Sequence, residues 1–440
     1  MAIPDRTSVC EGEAMRRLAV DSGHTYICID LKCFYASVEC ADRGLDPFTT
    51  NLVVADPTRG EGTICLAISP AMKALGVRNR CRVFEIPSRI KYIKAMPRMR
   101  RYMEVSAQIY GIYLRRYSAQ DIHVYSVDEC FIDVTPYQAL YHMTAREQAV
   151  QLMEDVLKET GICATAGIGT NLFLAKVALD ITAKHVPDHI GMLNEAEFRR
   201  VIWPHQPITD IWGIGPGTQR RLSRYNVRCL RDITRIDERL LYKEFGVNAE
   251  YLIDHAWGYE PCTMADIHNY RPQTHSTCNG QVLMSDYSYD DALCVLREMI
   301  DTSVLDLVEK RVVCQSVSLF VGYSWSEGGR THSGATRKLP ELTNSRAKLM
   351  QWIVEIYEQV ADKNQMIRRL SIGFGGLLPE SQATVSLFTD VEAQQREHRL
   401  GEATLAIKDK YGKNSLVRGI SFREKATGRE RNAQVGGHHE

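Results

Sequence analysis

The sequence predicts a multidomain protein that joins an α/β domain, a helical module and an α+β sheet domain. Three observations carry that prediction. The chain has 440 residues, too many for one ordinary hydrophobic core, so two to four modules are expected. Strand-like and helix-like segments alternate up to about residue 190, as in a domain built on a central sheet. Residues 274–378 then read as β-α-β-β-α-β, a split βαβ sheet with helices on one face.

The elements follow in order. "TYICID", 25–30, is a short strand ending in Asp30, and "LVVADP", 52–57, is a second strand closed by Pro57. "ICLAISPAMKALGV", 64–77, is a strand leading into a helix with Pro70 near its start. Residues 101–118 are helical, with Met103, Ala107, Tyr110 and Leu114 in register. An acidic hairpin, 123–135, and a helix near 144–159 follow, and then the strand "CATAGIGT" and the helix "NLFLAKVALDITAKH". Asn194, three residues before Glu197, caps a helix that stops at Pro204. Short helices and Gly turns run to about Trp257, and 259–273, with two prolines and no periodicity, reads as a linker. In the last domain, Leu293, Leu296, Ile300, Val304 and Leu307 stripe one helix, capped by Ser288. Leu349, Trp352, Ile353, Ile356, Tyr357 and Val360 stripe the other, and the stretch "RTHSGATRKL" is a polar edge strand. The tail, 379–440, is polar and reads as mobile.

Composition removes several classes. Hydrophobic residues at 44% and charged residues at 25% fit a soluble globular protein. No apolar run is long enough to span a membrane, and the N-terminus lacks an apolar signal-peptide core. The 13 Cys include no C-x-x-C pair, which argues against a zinc ribbon or a disulfide framework and for a reducing, cytoplasmic setting. Basic and acidic residues balance at 54 each, which counts against a nucleic-acid binder. The charge is unevenly spread, however. Arg220, Arg221, Arg224, Arg228, Arg231, Arg235, Arg239 and Lys243 face only Asp232, Asp237 and Glu238 within one stretch.

Adjacent acids, Asp128 and Glu129, sit between two runs of strand formers in "HVYSVDECFIDVT". Desolvated carboxylates need partners, so the pair is either a solvated hairpin tip or a cation site. Asp30 supplies a third carboxylate at a strand end. Three such groups could hold two divalent cations about 3.5–4 Å apart, and Mg²⁺ suits oxygen ligands shared with substrate phosphates. Consecutive residues of a flat strand face opposite ways, so Asp128 and Glu129 would need a turn or bulge to act together.

Three stretches, "DLKCFYASVE" (30–39), "YSVDECFID" (125–133) and "GIGTNLFLAK" (167–176), in this order and spacing, resemble the Y-family translesion DNA polymerases, most closely UmuC-like proteins of the Gram-positive type. The resemblance implies a right-hand polymerase. It gives an N-terminal extension (1–24), a palm (25–50 and 101–190), fingers (51–100) and a helix-hairpin-helix thumb (191–258). The linker (259–273), a little finger (274–378) and the tail complete the chain. It implies Asp30, Asp128 and Glu129 as ligands of two Mg²⁺ ions, with the backbone carbonyl of Leu31 completing one site. Tyr35 matches the steric gate that excludes a 2′-hydroxyl, and Phe34 would pack beneath the nucleotide. Lys176 and Lys73 match triphosphate-binding positions. Many family members carry Tyr where Pro70 stands, so that phosphate contact is lost or moves to Ser69.

"DIWGIGPGTQRRL", 210–222, with Gly213, Gly215 and Gly217, lacks the spacing of a dinucleotide fingerprint and reads as a hairpin between short helices. Glycine there lets backbone N–H groups approach a phosphate. In the little finger, Arg368 and Arg369, with Arg330, Arg337 and Lys338, could neutralise phosphates without reading sequence. "TVSLFTD", 384–390, with Thr384, Leu387 and Phe388, is similar to a sliding-clamp motif, with Thr in place of the preferred Gln. The expected partners are thus primer-template DNA, dNTP and a clamp, with room for accessory subunits and a nucleoid location. The expected activity is low-fidelity synthesis opposite damaged template in an SOS-type response. A nucleotidyl cyclase would need neither the hairpin module nor the second sheet domain. A non-catalytic scaffold would not need an intact carboxylate set.

Overall fold

The computed structural model describes residues 23–272, 275–325, 329, 331–383 and 390–439. The chain forms two compact units, Met1–Tyr270 and Arg271–Glu440.

The first unit is built on a five-stranded sheet. Its strands are β1 (Tyr26–Leu31), β5 (Ile122–Val124), β6 (Glu129–Asp133), β7 (Ala164–Gly169) and β8 (Ile190–Leu193), in the order β5-β6-β1-β7-β8. All neighbours are antiparallel except β7 and β8. Helices α1 (Phe34–Ala41), α3 (Met99–Leu114) and α5 (Ala145–Thr160) bury one face, where Ile27, Ile29, Ile109, Ile132, Leu152 and Ile168 form a continuous core. Thr144 and Glu147 close a capping box on α5. The sequence stripe proposed for α3 picks the wrong side: Met103, Ala107 and Leu114 are exposed, whereas Tyr102, Val105, Ile109, Ile112 and Tyr113 are buried. Two apolar registers overlap on this helix, and only packing against the sheet selects between them.

A second small sheet, β3 (Ala67–Ile68), β2 (Leu52–Val54) and β4 (Ile93–Ala95), carries helix α2 (Pro70–Ala74). It has its own core around Val53, Ile68, Met72 and Val83. Beyond β8, the helices α7 (Pro216–Leu222), α8 (Leu230–Ile233), α9 (Glu238–Phe245) and α10 (Ala249–Trp257) enclose another core, with Phe198, Ile208, Leu241 and Ile253 at its centre. The expected linker is not featureless. Residues Met264–Asn269 form helix α11, capped reciprocally by Thr263 and Asp266. Met264 seals the outer face of β1 beside Tyr26, Cys28 and Phe131. Six residues with three apolar positions are too few to show a period.

The second unit has the expected order: β9 (Ser276–Tyr287), α12 (Tyr289–Glu309), β10 (Val312–Tyr323), β11 (His332–Thr343), α13 (Arg346–Val360) and β12 (Ile367–Gly375). The antiparallel sheet runs β11-β10-β12-β9, so β11 is an edge strand. Both helices cover one face through Leu296, Ile300, Leu307, Leu349, Ile353 and Tyr357. The tail is ordered where described, which corrects the reading of a mobile end. Helix α14 (Val391–Tyr411) and helix α15 (Gly428–Asn432) pack along α12. They are fastened by polar bonds that no hydropathy pattern reveals. Glu397 accepts from the Ser345 hydroxyl (2.7 Å) and the Ala347 N–H (2.9 Å) at the start of α13. Glu298 accepts from the N–H groups of Thr427 (2.9 Å) and Gly428 (3.0 Å) at the start of α15.

Candidate active site

Strand β1 delivers Asp30 directly opposite Glu129 on β6. The hairpin before β6 bends through Ser126, Val127 and Asp128, so Asp128 precedes the strand that Glu129 begins. The N–H groups of Tyr125 and Ser126 both donate to the Glu129 carbonyl, at 3.0 and 3.1 Å, and the Leu31 N–H donates to the Asp128 carbonyl at 3.0 Å. These bonds close the turn, so Asp128 lies in the bend, outside the regular alternation of the strand. The Ser106 hydroxyl of α3 pins the loop at the Val127 carbonyl (2.6 Å), and the Ser126 hydroxyl donates to Asp128 Oδ1 (2.8 Å).

The electrostatics are those of a crowded anionic tip. Burial, and then the charges of Asp128 and Glu129, push the Asp30 carboxyl up to about 7. Among the described residues no group of three His, Cys, Asp or Glu side chains is clustered tightly enough to hold a metal ion as it stands. Ser126 and Lys176 instead engage two of the three carboxylates. The donor set nonetheless fits a hard divalent cation: every side-chain ligand is a carboxylate oxygen, and an ion among them would relieve the repulsion that lifts Asp30.

Lys176 lies on α6 (Leu172–Val177), and its place follows from the glycines before it. The helix crosses β7 so closely that a Cβ at Gly167 would lie 2.2 Å from the Ala175 carbonyl oxygen, and one at Gly169 would lie 2.2 Å from the Ala175 nitrogen. Lys176 is 4% exposed and donates to Glu129 Oε1 (2.8 Å) and Asp180 Oδ1 (3.2 Å). Burial opposes its charge, but the bond to Glu129 and the charges of Asp180 and Glu129 outweigh burial and raise its pKa. In this structure the side chain proposed for the triphosphate is therefore an ion-pair partner of a proposed metal carboxylate.

Tyr35 stands in the first turn of α1, after a tight turn in which Cys33 adopts φ 49°. Its ring stacks on Tyr102, with centroids 4.5 Å apart and planes at 15°. The Tyr102 hydroxyl donates to the fully buried Glu39 (2.9 Å), which also receives Arg98 (2.8 Å). Burial raises the Tyr35 pKa, the charge of Asp128 adds to this, and Arg80 opposes it. Tyr35 is thus braced from below and lies within electrostatic reach of the carboxylates. Sequence reading missed Tyr102, Glu39 and Arg80; a buried Glu among apolar neighbours carries no motif. Phe34 is a core side chain, 3% exposed, so its contribution is packing beneath Tyr35 rather than a surface for the nucleotide.

Two expectations for α2 divide. Lys73 is exposed. Ser69 is fully buried: its hydroxyl donates to the Thr50 carbonyl (2.7 Å) and accepts from the N–H groups of Leu52 (3.1 Å) and Met72 (3.3 Å). As the cap of a proline-started helix it has no capacity left for a phosphate, which corrects its assignment.

In the hairpin before α7, Gly213 adopts φ +84°, which favours glycine, and Gly215 caps α7. A Cβ at Gly213, Gly215 or Gly217 would meet nothing within 4 Å, so this backbone is open on its outer side. Of the basic residues that follow, Arg221 lies 4.1 Å from the Phe245 ring centroid and bonds the Glu244 carbonyl (3.0 Å), so it serves the fold. In the second unit, a register shift between Ile367 and Arg369 leaves Arg368 and Arg369 off the core while Ile367 and Leu370 stay buried. Arg369 is exposed and lies 5.5 Å from the Phe320 ring centroid on the face without helices. Arg337 is instead paired with Glu355 of α13 at 2.7 Å, so it faces the helices and does not line that surface. Arg330, Thr384, Leu387 and Phe388 lie outside the described residues.

The family model of the impB/mucB/samB family matches residues 29–180, and that of its C-terminal domain matches 274–387. The chain is 29% identical to a putative UV-damage repair protein UvrX of Bacillus subtilis, over 94% of this chain and 97% of that protein. It is equally identical to a DNA polymerase IV 2 of Halalkalibacterium halodurans, over 93% of this chain and 98% of that one. Among solved structures it resembles a Y-family DNA polymerase chimera of Dbh and Dpo4, with a TM-score of 0.62 and 20% identity over 81% of this chain and 99% of that chain.

Proposed function

The chain belongs to the UmuC-like Y-family of DNA polymerases, and from that premise we propose that Asp30, Asp128 and Glu129 are the carboxylates at which it extends a primer. It is a DNA-directed DNA polymerase of the translesion type, and its catalysis is metal-dependent. The observation that carries the site assignment is the pairing of Asp30 with Glu129 across one strand pair, with Asp128 in the adjoining bend.

The reaction joins the primer 3′-hydroxyl to the α-phosphate of a dNTP and releases pyrophosphate. Two Mg²⁺ ions held by Asp30, Asp128, Glu129 and the Leu31 carbonyl would lower the hydroxyl pKa and neutralise charge on the leaving group. The protein's own residues orient the reactants. Tyr35, fixed by Tyr102, closes the space beside the sugar C2′ and favours deoxyribose. Lys176 balances Glu129 until substrate arrives, and Lys73 offers an unshielded ammonium to the triphosphate. The open hairpin at Gly213–Gly217 and the helix-free face bearing Arg368 and Arg369 are proposed contacts to the backbone of primer-template DNA. Such contacts are independent of sequence, as a template-directed enzyme requires. The domain limits given above as palm, fingers, thumb and little finger are proposed to hold. Thr384, Leu387 and Phe388 are proposed to bind a sliding clamp, and DNA binding would place the protein at the nucleoid. No helix among the described residues is long and apolar enough to cross a membrane.

Primer extension with dNTP and Mg²⁺ on undamaged and abasic templates tests this reading. The expected result is extension of both, with insertion opposite the lesion. Product formed from NTP without DNA would point to a cyclase. DNA binding without extension would point to a scaffold.

A further inference from the structure

Glu39 is a buried acid to which none of the assignments above gives a part in the reaction. It lies one turn beyond Tyr35 on α1, so the two side chains leave the helix on the same side. Tyr102 of α3 stands against both. Its ring stacks on Tyr35 with centroids 4.5 Å apart, and its hydroxyl donates to Glu39 Oε1 at 2.9 Å. Arg98, one turn before Tyr102 where α3 begins, donates from Nε to the same oxygen at 2.8 Å. Arg43 donates to the other carboxylate oxygen, and to the Glu39 carbonyl at 2.7 Å. Arg98 is held in turn by Asp42, which accepts from its Nη2 at 2.7 Å and from Arg101 Nη2 at 2.8 Å.

Burying a carboxylate is costly unless donors surround it. Glu39 and Tyr102 are both 0% exposed, so the acid is a fixed anchor between two helices and not a solvated surface group. Burial and the Glu39 charge keep the Tyr102 hydroxyl protonated, and it therefore donates. A stacked ring pair fixes the separation of its planes but leaves the rings free to slide over one another. The bond from the Tyr102 hydroxyl to Glu39 removes that freedom. Tyr35 is half-buried, with Tyr102 against one face. A ring excludes a 2′-hydroxyl only if it cannot recede, and the place of Tyr102 decides how far Tyr35 can.

We propose that Glu39, acting through Tyr102, is a positioning residue that sets how strictly Tyr35 rejects ribonucleotides. This rests on the reading of Tyr35 as the sugar gate. The test uses the full chain on primer-template DNA with Mg²⁺. Single-nucleotide insertion of dCTP and of CTP opposite a template guanine gives kcat/KM for each sugar. The ratio of the two is the readout, because it does not depend on the fraction of folded enzyme. Tyr102→Phe keeps the stacked ring and removes the hydroxyl. Glu39→Gln keeps the shape of the acid and removes its charge. Each is expected to raise the relative use of CTP roughly three- to tenfold, as for the loss of one hydrogen bond. In a Tyr35→Ala background neither change should move the ratio further, because the ring they position is gone. A purely structural role would lower insertion of both sugars together and leave the ratio at its wild-type value. That result in either variant overturns the proposal, as does a further rise in the Tyr35→Ala background. Tyr102→Phe leaves Glu39 its two arginines, so it carries the test alone should Glu39→Gln not fold. A Tyr35→Ala protein with wild-type selectivity overturns the reading of the gate instead.

Discussion

Replacing Asp30 by Asn is expected to abolish primer extension and yet to stabilise the metal-free protein. The Asp30 carboxyl rises from an ordinary 3.8 to about 7. A group whose folded pKa is raised holds its proton in the native state over a range where the unfolded chain has lost it. Stability therefore falls as pH rises from about 4 to 7, and the full cost persists above 7. A shift of about 3 units at about 1.4 kcal/mol each sets a ceiling near 4 kcal/mol. Asp30 is only partly buried, and solvent screening brings the expectation to about 1–3 kcal/mol. Urea unfolding in EDTA, followed by fluorescence, measures the difference. The Asp30→Asn protein should be the more stable at pH 8, and the gap should shrink as pH falls below about 7 and close by about pH 3. Millimolar Mg²⁺ or Mn²⁺ should narrow the gap at pH 8 by stabilising the wild type alone. A gap that does not change with pH, or an Asp30→Asn variant less stable at pH 8, would refute the crowding of carboxylates inferred from the strand register.

Tyr35→Ala should raise ribonucleotide incorporation at least roughly tenfold relative to deoxyribonucleotide, because the steric exclusion is lost; paired single-nucleotide insertion assays measure it. Gly167→Ala should cost about 3 kcal/mol or prevent folding, since no rotamer change relieves a Cβ 2.2 Å from backbone oxygen; denaturant titration reads the loss. Lys176→Met leaves Glu129 and Asp180 without their buried partner and should destabilise by about 3 kcal/mol, again by denaturant titration. Arg369→Ala should weaken DNA binding on all sequences alike and lower the slope of log affinity against log salt by about 0.9, measured by fluorescence anisotropy.

The sheet domains were legible because their strands and helices carry long, regular apolar periods, as on α12 and α13. The cap residues Ser288 and Asn194 also act as their sequence context implied. What escaped was settled by tertiary packing or by polar bonds. On α3 two apolar registers compete, and the sheet chooses the one through Tyr102 and Ile109. Helix α11 is too short to show a period. The tail holds by Glu298 and Glu397 capping distant helices, and a carboxylate's partner over such separations leaves no mark in a sequence. The same limit applies at the site. The acids and Tyr35 stand in motifs, whereas Ser69 was misassigned because its burial under β2 could not be read from its neighbours.

Crystals of the protein with primer-template, dNTP and Mn²⁺ in place of Mg²⁺ test the central claim most directly. Anomalous scattering should show manganese bound by Asp30, Asp128 and Glu129, with the Glu129–Lys176 contact loosened. Manganese elsewhere, with those three side chains bare beside an ordered nucleotide, would contradict the account.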